Sequence, residues 1–174
     1  MSRKTKISEI KIYTDGSCLG NPGYGGWAYC MISPQRKTII FDTGSKNNVT
    51  NNFVELFAVL KALNKIKRLR KKAIITVNCQ ITLYSDSQYV VNMFKKHWAD
   101  QWYLNKWRNA SNQPVKNKEL ISMIYPLVKR YKVEFKWIKG HNNDNYNEIC
   151  DKMARQSAEQ LKQLINNSNN INSD

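Results

Sequence analysis

The chain has 174 residues, 41% of them hydrophobic, which is material for one domain around a single buried core. Its 28 lysines and arginines against 13 acids give a formal charge of +15, which points to a polyanionic partner, with nucleic acid the leading one. A basic face kept only for solubility is the alternative, and a membrane surface is disfavoured because no Lys/Arg-rich stretch carries a matching Trp/Leu face.

Residues 7–14 alternate, with Ile10, Ile12 and Thr14 on one side and Lys11 and Tyr13 on the other, which is the period of a strand. The alternation ends in Asp15 and a glycine-rich stretch, Gly16-Ser17-Cys18-Leu19-Gly20-Asn21-Pro22-Gly23. Asp15-Gly16 reads either as a hairpin turn or as a strand end that delivers a metal ligand into a cleft. Residues 25–32 read as a second strand, 33–36 as a turn and 37–43 as a third strand. Such short connections predict an antiparallel meander.

Leu56, Leu60, Leu63 and Ile66 fall at helical spacing. Asn52 as N-cap with Glu55 three residues on forms a capping-box pattern, so Glu55 has a structural reading beside a catalytic one. Lys65, Lys67, Arg68, Arg70, Lys71 and Lys72 close this helix with a cationic end that suits its dipole. Residues 73–84 read as one long strand, or as two broken near Asn78-Cys79, ending in Ser85-Asp86-Ser87. Either Asp86 or Ser87 can cap the helix predicted over 88–96.

Residues 95–108 set Trp98, Trp102 and Trp107 among lysines and an arginine, with Trp98 and Trp102 one helical turn apart. Aromatic faces interleaved with cations suit a nucleic-acid backbone and its sugars or bases; the alternative is that the indoles pack inward. A helix over 118–130, a strand over 133–138, the loop Lys139-Gly140-His141 and a helix over 144–164 containing Asn147 and Asp151 complete the pattern. We therefore expect a basic extension over 1–6, one domain over 7–165 and an Asn/Ser-rich disordered tail over 166–174. No apolar run spans a bilayer and the basic start leads into a strand, not an apolar signal core. Cys18, Cys30, Cys79 and Cys150 lack CxxC or Cys/His spacing and read as reduced thiols of an intracellular protein of cytoplasm or nucleus, not a secreted one.

In so basic a chain the junctions still carry acids: Asp15 after the first strand, Glu55 early in the first long helix, Asp86 after the fourth strand and Asp151 early in the last helix. Several carboxylates at close range stay ionised only when cations neutralise them. Oxygen ligands of this charge favour Mg²⁺ or Mn²⁺. Two such ions about 4 Å apart can activate water and stabilise the leaving oxygen of a phosphodiester. His141 suits proton transfer or product release.

The motifs Thr14-Asp15-Gly16-Ser17, Thr50-Asn51-Asn52-x-x-Glu55, Ser85-Asp86-Ser87-Gln88, Pro114-Val115-Lys116-Asn117, Lys139-Gly140-His141 and Asn147-Glu148-x-Cys150-Asp151, in this order over roughly residues 7–160, resemble type 1 ribonuclease H. The segment 95–108 is similar to the basic protrusion of that family's cellular members. The resemblance implies an α/β ribonuclease H-like fold, a central five-stranded mixed sheet (three antiparallel strands, then parallel ones) flanked by helices. It implies a monomeric, membrane-free endoribonuclease that uses two Mg²⁺ ions, or Mn²⁺, to hydrolyse the RNA strand of RNA–DNA hybrids to 5′-phosphate and 3′-hydroxyl ends. By the same resemblance Asp15 bridges the two metals, Asp151 serves the ion that activates water, Glu55 and Asp86 serve the leaving-group ion, and His141 assists product departure. Asn21, Asn52, Gln88 and the backbone from Cys18 to Gly20 meet the minor groove, where 2′-hydroxyls mark the RNA strand. Thr50 and Asn117 grip a DNA phosphate, and Trp98 and Trp102 wall the DNA channel. An inactive hybrid-binding module and a DNA nuclease of the same superfamily are the rival readings. Two departures stand out: residues 65–82 are longer and more basic than the family pattern, and no glycine follows His141 in its loop.

Overall fold

A computed structural model describes residues 6–140 and 144–171. Strands β1 (Ile7–Gly20), β2 (Gly23–Ser33) and β3 (Thr38–Val49) form the expected antiparallel meander. Helix α1 (Asn51–Lys71) crosses to β4 (Ile75–Ser85). After α2 (Gln88–Lys95), α3 (Trp98–Leu104) and α4 (Lys118–Tyr131) the chain returns as β5 (Glu134–Trp137) and ends in α5 (Asn145–Ile171). The sheet order is β3-β2-β1-β4-β5, with β4 parallel to β1 and β5 parallel to β4, which is the mixed five-stranded sheet expected from the sequence.

The alternation of the strands gives each sheet face its own cover. Ile10, Ile12, Tyr29 and Leu83 on one face join Leu56, Leu63 and Ile66 of α1 and Ile121 and Ile124 of α4 in the main core. Burying each such side chain contributes about 1.5–3 kcal/mol. Tyr13, Ala28 and Cys30 on the other face pack with Cys150 and Ala154 of α5.

Several boundaries differ from the sequence reading. The hairpin falls at Asn21-Pro22, not at Asp15-Gly16: Asp15 pairs with Ala28 and Gly16 with Trp27, and β1 runs on to Gly20. Glycines at 16, 23, 25 and 26 offer no side chain to either face, so the alternation vanishes from the sequence while the pairing continues. Helix α1 is capped by Thr50, whose hydroxyl accepts from the Phe53 amide at 3.3 Å, so Asn52 lies inside the helix and the capping box is not formed. Strand β4 passes unbroken through Asn78-Cys79, and its excess length is absorbed where Ile7↔Ile75 is followed by Glu9↔Gln80. Ser87, and not Asp86, caps α2, accepting from the Val90 amide at 3.4 Å. Finally, α5 remains helical over 166–171, where a disordered tail was expected. Asparagine and serine are poor helix formers, yet no Gly or Pro interrupts them, and an established helix extends cheaply. Ser168 bonds back to the Leu164 carbonyl at 2.8 Å. The expectations for residues 1–5, His141 and 172–174 lie outside the described residues.

Candidate active site

The site lies where β1 and β4 part. Their parallel pairing ends at Tyr13↔Tyr84, so Asp15, two residues on, and Asp86, just past the end of β4, face a gap between the carboxyl-terminal ends of the strands. In open α/β sheets this is where ligands bind. Glu55 enters from the first turns of α1, and Gly16 makes this possible. A Cβ on Gly16 would lie 2.7 Å from the Glu55 backbone nitrogen and 2.8 Å from the Val54 carbonyl carbon, so only glycine lets α1 rest against β1 here. A second close approach lies beside Asp86: a Cβ on Gly140 would lie 2.9 Å from its Oδ2. The Trp137 indole N–H donates to the Asp86 backbone carbonyl at 3.1 Å.

Each of Asp15, Glu55 and Asp86 offers a carboxylate oxygen within 4.8 Å of the others. Asp15 is 5% and Glu55 6% exposed. Burial, then the Asp86 charge, pushes the Asp15 carboxyl up to about 8, and the Gly16 amide, donating to its Oδ1 at 2.8 Å, offsets only part of this. Burial, then Asp15 and Asp86, raises Glu55 well above the usual carboxylate range. Glu55 Oε2 is buried without a hydrogen-bond partner among the described residues. Three converging acids, none paired with a basic side chain among the described residues, and an orphaned buried oxygen are what a hard divalent cation fits. The donor set is all oxygen, which favours Mg²⁺, Mn²⁺ or Ca²⁺ over thiolate-seeking or imidazole-seeking metals.

Asp151, on α5, stands outside this trio. It raises the Asp15 carboxyl, so it lies within electrostatic reach, but its own partner is Arg155 at 2.9 Å. Sequence reasoning missed Arg155, although its (i, i+4) spacing from Asp151 was readable. It also missed Trp137 and Asp100. Asp100 accepts from Tyr125 at 2.8 Å and pairs with His97 at 2.8 Å and Lys129 at 2.5 Å, tying α3 to α4.

The expected substrate residues fall into two groups. Near the β1–β2 hairpin, Cys18 donates to the Val49 carbonyl at 3.0 Å, the Asn21 Oδ1 accepts from the Asn51 amide at 3.2 Å, and Gly20 adopts φ +92°. Thr50 and the exposed Asn52 open α1 beside them. On the other side of the site Gln88 opens α2, and Asn117 opens α4, where it bonds the neighbouring Tyr89 hydroxyl. Trp98 and Trp102 lie on α3 with ring centroids 6.3 Å apart, both half-buried against the core and neither wholly inward.

Fold and site together define an α/β domain with an all-oxygen carboxylate cluster, suited to a metal, between its central strands. The family model for RNase H matches residues 8–159. The chain is 40% identical over 153 residues to the ribonuclease H of Oleidesulfovibrio alaskensis, covering 87% of this chain and 92% of that protein. It is 41% identical over 152 residues to that of Neorickettsia sennetsu, covering 87% and 94%. The chain belongs to the RNase H family. Among solved structures, its fold is similar to LC9-RNase H1, a type 1 RNase H with the type 2 active-site motif (TM-score 0.73, 24% identity, 91% of this chain and 75% of that one). It is also similar to LC11-RNase H1, solved in complex with RNA/DNA hybrid (TM-score 0.67, 21% identity, 87% and 98%).

Proposed function

We propose that this chain is a metal-dependent endoribonuclease that hydrolyses the RNA strand of RNA–DNA hybrids and leaves 5′-phosphate and 3′-hydroxyl ends. The observation that carries this reading is the convergence of Asp15, Glu55 and Asp86 in a member of the RNase H family. The cation is Mg²⁺, two ions, with Mn²⁺ as a substitute. Asp15 would be shared between the ions, with Glu55 and Asp86 on the leaving-group side and Asp151 on the water side. Bound there, such ions supply an activated water and charge stabilisation for the departing oxygen.

The chain's own groups supply position. Asn21, Asn52, Gln88 and the backbone from Cys18 to Gly20 would read the minor groove and its 2′-hydroxyls. Thr50 and Asn117 would hold a DNA phosphate, Trp98 and Trp102 would line the DNA strand's path, and His141 would assist product departure. The hybrid-bound LC11-RNase H1 supports this kind of ligand for the fold. No helix among the described residues is long and apolar enough to cross a membrane. The four free thiols fit an intracellular protein, and we expect a monomer.

The test is cleavage of labelled RNA–DNA hybrid, double-stranded RNA and double-stranded DNA in Mg²⁺ or in EDTA. Hybrid cleavage in Mg²⁺ alone is expected, abolished by Asp15→Asn while hybrid binding survives. Cutting of all three substrates, or of hybrid in EDTA, overturns the reading.

A further inference from the structure

We propose that the end of the domain opposite the carboxylates is a second nucleic-acid contact, which holds the phosphate backbone of a duplex other than the one at the active site. Helix α1 carries Glu55 in its first turns and runs on to Lys71. At about 1.5 Å per residue, Lys67 to Lys72 lie roughly 20–25 Å from Glu55 along the axis. Lys67, Arg68, Lys71 and Lys72 are all exposed, and none forms an ion pair with a carboxylate among the described residues. Between Asp42 and Asp100 the sequence has no acids except Glu55 and Asp86. Asp42 of β3, which shares a pocket with Lys61, Lys65 and Arg68, accepts from the Tyr29 hydroxyl at 3.2 Å and forms no ion pair among the described residues.

The end of α4 completes the surface. The Tyr131 ring lies 5.9 Å from the guanidinium of Arg70 and 5.9 Å from that of Arg130, which joins the two helix ends. Arg70 is fixed further by donating to the Val77 carbonyl at 2.7 Å. Arg130 and Lys132 add two more exposed cations. The nearby acid Glu134 already pairs with Lys136 at 3.5 Å.

The spacing fits a phosphate strand. Lys61, Lys65, Arg68 and Lys72 recur at i, i+4, i+7 and i+11, a single helix face. Such a stripe is about 16 Å long and, laid along a duplex axis, covers the rise of roughly five phosphates of one strand at about 3.4 Å each. Helix-dipole compensation needs only a cation or two in the last turn and leaves the rest unexplained. A membrane surface fits poorly, because an interfacial helix needs a free apolar face. The apolar face of α1 is spent in the core, and Val77, 84% exposed, is the one exposed large hydrophobic that α1 and β4 carry. A straight duplex lying across the carboxyl ends of β1 and β4 does not reach this pole, which makes the contact a separate one. This second contact presupposes the hybrid proposed to lie at the carboxylates, whose binding is measured separately.

The experiment uses Asp15→Asn protein in Mg²⁺, with an RNA–DNA hybrid fixed to beads and a dye-labelled DNA duplex in solution. Binding of the protein to the beads reports the first contact, and capture of the dye duplex reports the second. Salt-sensitive capture is expected. Lys67→Gln/Arg68→Gln/Lys71→Gln/Lys72→Gln should lower capture about tenfold, while the same substitutions in otherwise unaltered protein change cleavage of a short hybrid by less than about twofold. Undiminished capture by this variant, no capture by the parent once it is bead-bound, or an equal loss of short-hybrid cleavage overturns the proposal. So does pole-dependent binding of phosphatidylserine vesicles without duplex capture. If the fourfold variant does not fold, Arg130→Glu/Lys132→Glu on α4 tests the same surface with the same expected loss.

Discussion

One guanidinium nitrogen of Arg155, Nη2, reaches both carboxylate oxygens of Asp151, at 2.9 and 3.2 Å. A cation that uses Asp151 must share it with this arginine. Arg155→Gln should therefore lower the Mg²⁺ concentration for half-maximal hybrid cleavage about twofold, the scale of an exposed helical ion pair. Thermal stability should hardly change. A metal titration showing an unchanged or higher midpoint would mean that Asp151 serves no cation.

The acid trio makes stability depend on pH and metal together. Asp15 is raised from 3.8 to about 8, and Glu55 is raised too. Between the ordinary carboxylate range and about 8, the folded protein thus holds more protons than the unfolded chain, so metal-free stability falls as pH rises through this window. In EDTA the melting temperature should drop from about pH 5 to about pH 8, and Mg²⁺ should raise it more at the higher pH. A melting temperature in EDTA that climbs over this range would contradict the cluster.

Gly16→Ala sets a Cβ against the backbone of Val54 and Glu55, which cannot rotate away. Separating α1 from β1 should cost about 1–3 kcal/mol in urea unfolding and displace Glu55 from Asp15. Cleavage by the folded fraction should fall as well. Full activity per folded molecule would show that the acids tolerate the shift.

Trp98 and Trp102 form a tilted pair, with the Lys96 ammonium 5.8 Å from the Trp98 ring. Replacing both by alanine should raise KM for hybrid more than it lowers kcat, since base or sugar stacking contributes about 1–3 kcal/mol per aromatic. Their half-buried faces mean that the melting temperature should fall too. An unchanged KM in the folded variant removes them from the substrate path.

The sheet was legible because Ile10, Ile12 and Thr14 alternate and the connections are short. The acids stood out because a chain this basic has few, and Asp15, Glu55 and Asp86 sit at junctions. What the sequence hid has particular causes. Glycines at 16, 23, 25 and 26 erase the alternation that would have placed the hairpin at Asn21-Pro22. Thr50, Asn51 and Asn52 are all competent caps, and the Asn51 amide is drawn instead to Asn21, thirty residues earlier. The close approach of Gly140 to Asp86 depends on the path of β4 and β5, which no local pattern encodes.

Helix α1 ends in cations that no carboxylate pairs among the described residues, while its single acid, near the start, is raised well above the usual carboxylate range, so the helix carries its positive charge at one end. A polyanion's field turns a free molecule so that its positive end leads. Metal-free protein would thus meet nucleic acid back to front, with the carboxylates trailing. Cations that fill the acid cluster make that end more positive and weaken that torque. Divalent ion concentration would then bias which way the enzyme faces on first encounter, before any bond is cut.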